Sequence, residues 1–177
     1  MEETYRGLTI KIEQDVDPES PREWDNVGTM VCFHGRYTLG DKHEFSSPTE
    51  FLEWWEENGE DGVLLPLYLY DHSGITISTS PFSCPWDSGQ VGWIYATKET
   101  LDKETFDIDH ATKYLIGEVE TYDQYLTGQV YGYEVEDEDG NFLASCWGFY
   151  GEEDAIQEAR ADADGYANER DTRESNL

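Results

Sequence analysis

The chain has 177 residues and sets 40 Asp+Glu against 11 Lys+Arg, a formal net charge of -29. The length accommodates one domain with a core of its own. The charge excludes direct nucleic-acid binding, because no basic patch exists to meet phosphate, and no apolar run approaches a bilayer span.

The polar, acidic start Met1-Glu-Glu-Thr-Tyr-Arg6 has no apolar segment, so no secretory signal is expected and the chain reads as cytoplasmic. Leu8, Ile10 and Ile12 alternate with Thr9 and Lys11, which predicts a strand over about 5–14. Asp15 to Asn26, with Pro18 and Pro21, is an acidic loop. Val27 to His34 is nearly all apolar and reads as a central strand. Ser47 caps a helix whose first position is Pro48, whose apolar face is Phe51, Leu52, Trp54 and Trp55, and whose stop is Asn58-Gly59. Val63 to Tyr70 reads as a buried strand, with Pro66 marking an edge or a bulge. Gly74–Ser80 and Val91–Thr97 read as two more strands.

Thr97 or Thr100 caps a short helix towards Phe106, and Asp109 caps a longer one ending at Thr127-Gly128, with Gly117 inside it. Gln129–Glu136 and Phe142–Tyr150 form a hairpin around Asp139-Gly140. Glu152 to about Tyr166 is a last amphipathic helix, with Ala155, Ile156, Ala159 and Ala163 on one side. The sum is an α+β fold: a single domain over 1–166, a mainly antiparallel sheet of about six strands with about three helices, and a frayed acidic tail over 167–177.

The charge bears on folding itself. Spread over a sphere of about 20 Å radius, it costs on the order of 25 kcal/mol behind a screening length of about 8 Å, and roughly 11 kcal/mol at about 3 Å, near molar salt. Net stability is only about 5–15 kcal/mol. Two readings of the acidity follow. One is adaptation to a salt-rich cytoplasm, consistent with only five lysines. The other is an acidic surface that imitates the phosphate backbone and captures a nucleic-acid-binding protein. Composition does not separate them.

Residues 62–97 contain only two acids, Asp71 and Asp87, and no Lys or Arg. So neutral a stretch in so charged a chain is either buried or functional. It carries the candidate pocket, Asp71, His72, Ser73, Cys84, Trp86, Asp87 and Gln90, at strand ends. His72, oriented by Asp71 or Asp87, with Cys84 as nucleophile, would make a thiol-type catalytic unit. Asp71 and Ser73 capping turns, His72 bonded to a backbone carbonyl and Cys84 filling the core would make it purely structural. A binding pocket floored by Trp86 and Trp93 is the third reading.

No metal or cofactor is implied. Cys32, His34 and His43 lack zinc spacing. Glu134–Asn141 fails as a calcium loop, because Gly140 at the sixth position puts Val135 at the first and Cys146 at the twelfth. No glycine cluster precedes Lys-Ser/Thr as a phosphate loop requires. Cys32, Cys84 and Cys146 read as thiols of an intracellular protein, with one disulfide left open. The glycine-punctuated aromatic runs 122–128 and 146–151 fit either a packed sheet–helix junction or a pocket wall.

Several stretches resemble a group of small proteins encoded by tailed viruses, plasmids and their hosts, including salt-loving archaea. They are Pro21-Arg-Glu-Trp-Asp-Asn-Val-Gly-Thr-Met-Val-Cys-Phe-His34 with Leu39-Gly-Asp41; Leu65-Pro-Leu-Tyr-Leu-Tyr-Asp-His-Ser-Gly-Ile75; Ser83-Cys-Pro-Trp-Asp-Ser-Gly-Gln-Val-Gly92; Tyr122-Asp-Gln-Tyr-Leu-Thr-Gly128; and Ser145-Cys-Trp-Gly-Phe-Tyr-Gly151. The resemblance implies a mobile-element setting and assigns no catalytic residue. The expected function is a non-enzymatic acidic accessory protein that binds a host or viral protein. The alternative is a small-ligand binder or hydrolase-like enzyme using Asp71, His72, Cys84 and Asp87.

Overall fold

The computed structural model describes residues 1–177. In chain order the elements are β1 (Glu2–Tyr5), β2 (Leu8–Gln14), a 3₁₀ turn (Pro21–Glu23), β3 (Thr29–Cys32), α1 (Pro48–Asn58), β4 (Val63–Asp71), β5 (Ile75–Ser78), β6 (Ser88–Ala96), α2 (Lys98–Glu104), α3 (Ile108–Leu126), β7 (Val130–Glu136), β8 (Phe142–Tyr150) and α4 (Glu152–Ser175). The α+β class stands. The one sheet of about six strands is corrected to two antiparallel sheets of four, ordered β1-β2-β7-β8 and β3-β6-β4-β5, and the helices number four. Where the sequence draws one domain over 1–166, the contacts gather into two compact units: Met1–Glu19 with Gly128–Leu177, and Ser20–Thr127.

In the first unit, the strand expected over 5–14 is a hairpin. Arg6 (φ 51°) and Gly7 (φ 79°) turn the chain between β1 and β2, and Tyr5 faces Leu8. A non-glycine residue in left-handed backbone at Arg6 is what hides this turn in the sequence. The β7–β8 hairpin turns at Asp139-Gly140 as expected, with Gly140 at φ 81°. Leu8, Ile10, Ile12, Tyr133 and Val135 share a core with Ala155, Ala159 and Ala163 of α4. Alanine at i, i+4 spacing lets a helix lie close on a sheet, and the row continues to Ala167, fully buried. That fourth alanine carries α4 past the boundary at 166, and Arg170 adds a hydrogen bond to the Arg6 carbonyl at 3.1 Å.

In the second unit, Ser47 accepts from the Glu50 N–H at 3.2 Å and Pro48 opens α1. One face of the sheet packs Met30, Cys32, Leu67, Leu69 and Ile94 against Ala111, Leu115, Val119 and Tyr122 of α3. The α3 cap is Asp107, which accepts from the His110 N–H at 2.7 Å; Asp109, the expected cap, is the second residue of the helix. Phe51 is fully buried and stacks on Trp93 at 5.1 Å between centroids, while Trp54 and Trp55 tilt onto Tyr95. The tryptophan pair is thus packing surface. Pro66 lies on β4 ahead of Tyr68–Asp71, the stretch that pairs with β5, so β4 is paired there with β6 alone, and a register shift follows between Leu67 and Tyr68, in keeping with the expected edge or bulge. At Gly92 a Cβ would stand 1.9 Å from the Val31 carbonyl oxygen, so only glycine admits β3 there.

No polar or charged residue is buried as a whole. The ion-paired side chains of Arg22 and Glu118 come near it, 4% and 8% exposed. Arg22 donates to both Asp41 oxygens (2.9 and 2.7 Å), to Glu118 (3.1 Å) and to the Gly28 carbonyl (2.8 Å). Asp41 also accepts the Met30 N–H, and Glu118 the Val27 and Gly28 N–H groups. A shared cation and backbone donors thus satisfy two carboxylates whose burial would otherwise be costly.

Candidate functional site

The end of β4 and the start of β6 are held together by a hydrogen bond from the Asp71 N–H to the Asp87 carbonyl, 2.8 Å. This brings two acids 16 places apart in the chain to one rim. A groove of about 340 Å³ opens there, lined in part by His34, Arg36, Asp71, Trp86, Asp87 and Gln90. Asp71 accepts from Arg36 and from the Tyr37 hydroxyl (3.2 Å), and the Arg36 guanidinium lies 5.4 Å over the Tyr37 ring. Asp87 Oδ2 stands 3.2 Å from His72 Nδ1 and 4.0 Å from Cys84 Sγ. Ser88 donates its hydroxyl to the Cys84 carbonyl and so closes the turn that presents Cys84.

The structure therefore sets His72 and Cys84 beside the Asp87 carboxylate, and it joins Asp71 to them only through the backbone, its carboxylate turned to Arg36 and Tyr37. Trp86 joins as a rim, 92% exposed, and not as a floor. Gln90 lines the groove and turns its amide to the Gly92 carbonyl at 3.3 Å. Ser73 stays outside: it sits at φ 58° in the exposed β4–β5 turn. Trp93 belongs to the aromatic layer under α1, so a pocket floored by Trp86 and Trp93 is corrected on both counts. His72 bonds to a carboxylate where the structural reading placed a carbonyl, and Cys84 is half-buried rather than core.

The order of contacts limits the chemistry. A nucleophilic thiolate needs an imidazole or a cation beside the sulfur. Here the carboxylate of Asp87 stands between thiol and imidazole, so the sequence of contacts is Cys–Asp–His and no proton-accepting nitrogen reaches Sγ. No group of three His, Cys, Asp or Glu side chains is placed to hold a metal ion. All three cysteines are free. Burial pushes the Cys32 thiol up to about 12, with the Asp41 charge adding to it, so Cys32 sits in the core as a protonated thiol.

A second groove, of about 450 Å³, lies between the loop at Pro21–Asn26 and α3, lined by Trp24, Lys113, Tyr114 and Gly117 among others. Asn26 holds the loop by donating to the Pro21 and Trp24 carbonyls, both at 2.9 Å. Sequence reasoning missed this groove. The signal was there: Gly117 costs about 1 kcal/mol inside a helix, and no heavy atom lies within 4 Å of where its Cβ would be.

No protein-family model matches the chain, no curated protein is similar to it in sequence, and no solved structure is similar to it in fold. No helix is long and apolar enough to cross a membrane.

Proposed function

We propose that this chain is a non-enzymatic acidic accessory protein of a virus or mobile element, adapted to salt, that binds a basic host or viral protein in the cytoplasm. One observation carries the reading. On a surface that holds a net charge of -29, large apolar side chains stand exposed: Trp24 at 43%, Trp86 at 92%, Phe142 at 63% and Trp147 at 44%. Exposed aromatics on a charged surface are the composition of a protein interface, where aromatics anchor and charges steer. The viral setting is drawn from the resemblance alone. Mimicry of nucleic acid is the narrower version, and the spread of acids through every helix and both units favours it less than salt adaptation does.

Titration with a panel of lysine- and arginine-rich DNA-binding domains, with and without competing duplex DNA, tests the reading. Binding that weakens steeply with salt is expected. Binding abolished by DNA selects mimicry. No binding to any basic domain at any salt concentration rejects the proposal.

The small-ligand or hydrolase-like reading keeps one observation: Asp87, which with Asp71 lines an open groove, stands beside both His72 and Cys84. Its test is ester turnover by the chain and by Asp87→Asn. Equal background rates in both remove it.

A further inference from the structure

β6 carries two glycines, Gly89 and Gly92, that have different reasons to be there. At Gly92 the Val31 carbonyl oxygen leaves no room for a side chain. At Gly89 a Cβ would meet no heavy atom within 4 Å, and the backbone is not in the left-handed region, so neither packing nor conformation asks for glycine. A glycine inside a strand weakens it, and it recurs where a ligand comes close to the backbone. Gly89 lines the groove of about 340 Å³ at the ends of β4 and β6. Trp86 lines the same groove and, 92% exposed, offers its indole ring to whatever enters.

The polar groups of this groove are mixed in kind. His34 Nδ1 accepts the Arg36 and Tyr37 N–H groups at 3.0 and 3.2 Å, which puts the ring proton on Nε2 and makes that atom a donor. Arg36 gives Nη2 to Asp71 and keeps the hydrogens of Nε and Nη1. Gln90 gives one amide hydrogen to the Gly92 carbonyl and keeps the other, together with its oxygen. Asp87 meets His72 and Cys84 through Oδ2 and leaves Oδ1 without a partner.

That mixture selects the ligand. An anion has acceptors only, meets Asp87 and is opposed by the net charge of -29. An ammonium has donors only and meets Arg36. An uncharged hydroxyl both donates and accepts. A saturated ring that carries several hydroxyls also has a face of C–H groups, and these lie well against the electron-rich face of an indole.

We infer that this groove binds a neutral saccharide, one sugar ring stacked on Trp86 beside Gly89, with its hydroxyls on His34, Arg36, Asp87 and Gln90. The inference rests on the small-ligand reading of the groove and needs no turnover. Trp86 is then a sugar platform, and the protein interface keeps Trp24, Phe142 and Trp147.

The test follows the backbone amide shifts of the whole chain by NMR during titration with maltotriose, cellotriose and triacetylchitotriose, with glucuronate and glucosamine as charged counterparts. At least one trisaccharide is expected to move amides at 34–36 and 86–90 saturably, and to bind more tightly than either charged sugar. Trp86→Ala is expected to weaken that binding about tenfold. Gly89→Val is expected to weaken it as much while the thermal midpoint stays level or rises, because valine suits a strand; this separates a filled groove from a damaged fold. No saturable shift with any trisaccharide up to its solubility overturns the inference. So does binding that survives both substitutions, or a charged sugar that binds as tightly. After such a failure, basic domains that still bind the chain leave the protein-binding reading standing, and ester turnover that Asp87→Asn abolishes leaves the small-ligand reading standing with another substrate class.

Discussion

The unit formed by Met1–Glu19 and Gly128–Leu177 sets twenty acidic residues against five basic ones, a balance of -15; the longer unit, Ser20–Thr127, sets twenty against six, a balance of -14. Nearly equal charge thus sits on unequal frames. The first unit holds its sheet with Ile, Leu, Val and a row of alanines. The second has five of the six tryptophans and packs both faces of its sheet, α3 on one side and the Phe51–Trp93 layer on the other. Their ion pairs differ in kind as well. Arg6–Asp164, Arg160–Glu3 and Lys11–Glu136 lie at the surface of the first, where a pair is worth about 0.2–1 kcal/mol. Arg22 with Asp41 and Glu118 is nearly sealed in the second. Repulsion therefore weighs more per residue on the unit with the thinner core, and salt acts there first.

The largest effect that sharpens this contrast is expected at Arg22. Arg22→Ala leaves two inward carboxylates without their cation and is expected to cost about 3–5 kcal/mol, read as a lowered denaturation midpoint that molar salt does not restore. Ala159→Leu overpacks the α4–sheet seam and is expected to cost about 1–3 kcal/mol, with exchange rising in the first unit before the second. Gly117→Ala and Gly165→Ala fill open helix positions, one in each unit, and each is expected to stabilise by up to about 1 kcal/mol in a thermal melt. A gain from Gly165→Ala that exceeds that from Gly117→Ala in dilute buffer marks the first unit as the limiting one.

The smallest effect is on the acid side. Hydrogen bonds from Arg160 and Arg6 hold the Glu3 and Asp164 carboxyls below their ordinary values. A carboxyl lowered by folding stabilises fully above its unfolded value and loses that contribution as pH falls through the folded one. The β1–α4 contact is therefore expected to loosen below about pH 4. Glu3→Gln with Asp164→Asn is expected to flatten that limb of a stability profile.

Local chemistry was legible. Ser47-Pro48 and Asp139-Gly140 each say where an element turns or begins, because a cap or a hairpin is decided within four residues. Pairing was not. β2 bonds to β7 across the whole second unit, Thr9 facing Glu136, and alternation reveals a face without revealing a neighbour. The Cys84–Asp87–His72 cluster was legible as a neutral stretch in a charged chain, but which group stands between thiol and imidazole depends on how two strand ends meet, which spacing does not give. The Arg22 network escaped notice because a lone arginine in an acidic loop reads as a surface charge.

Amide hydrogen exchange, followed residue by residue from dilute buffer to molar salt, tests the central claim most directly. Added salt is predicted to slow exchange strongly in β1, β2, β7, β8 and α4 and much less in β3–β6 and α3. Equal slowing in both units, or none in either, contradicts it.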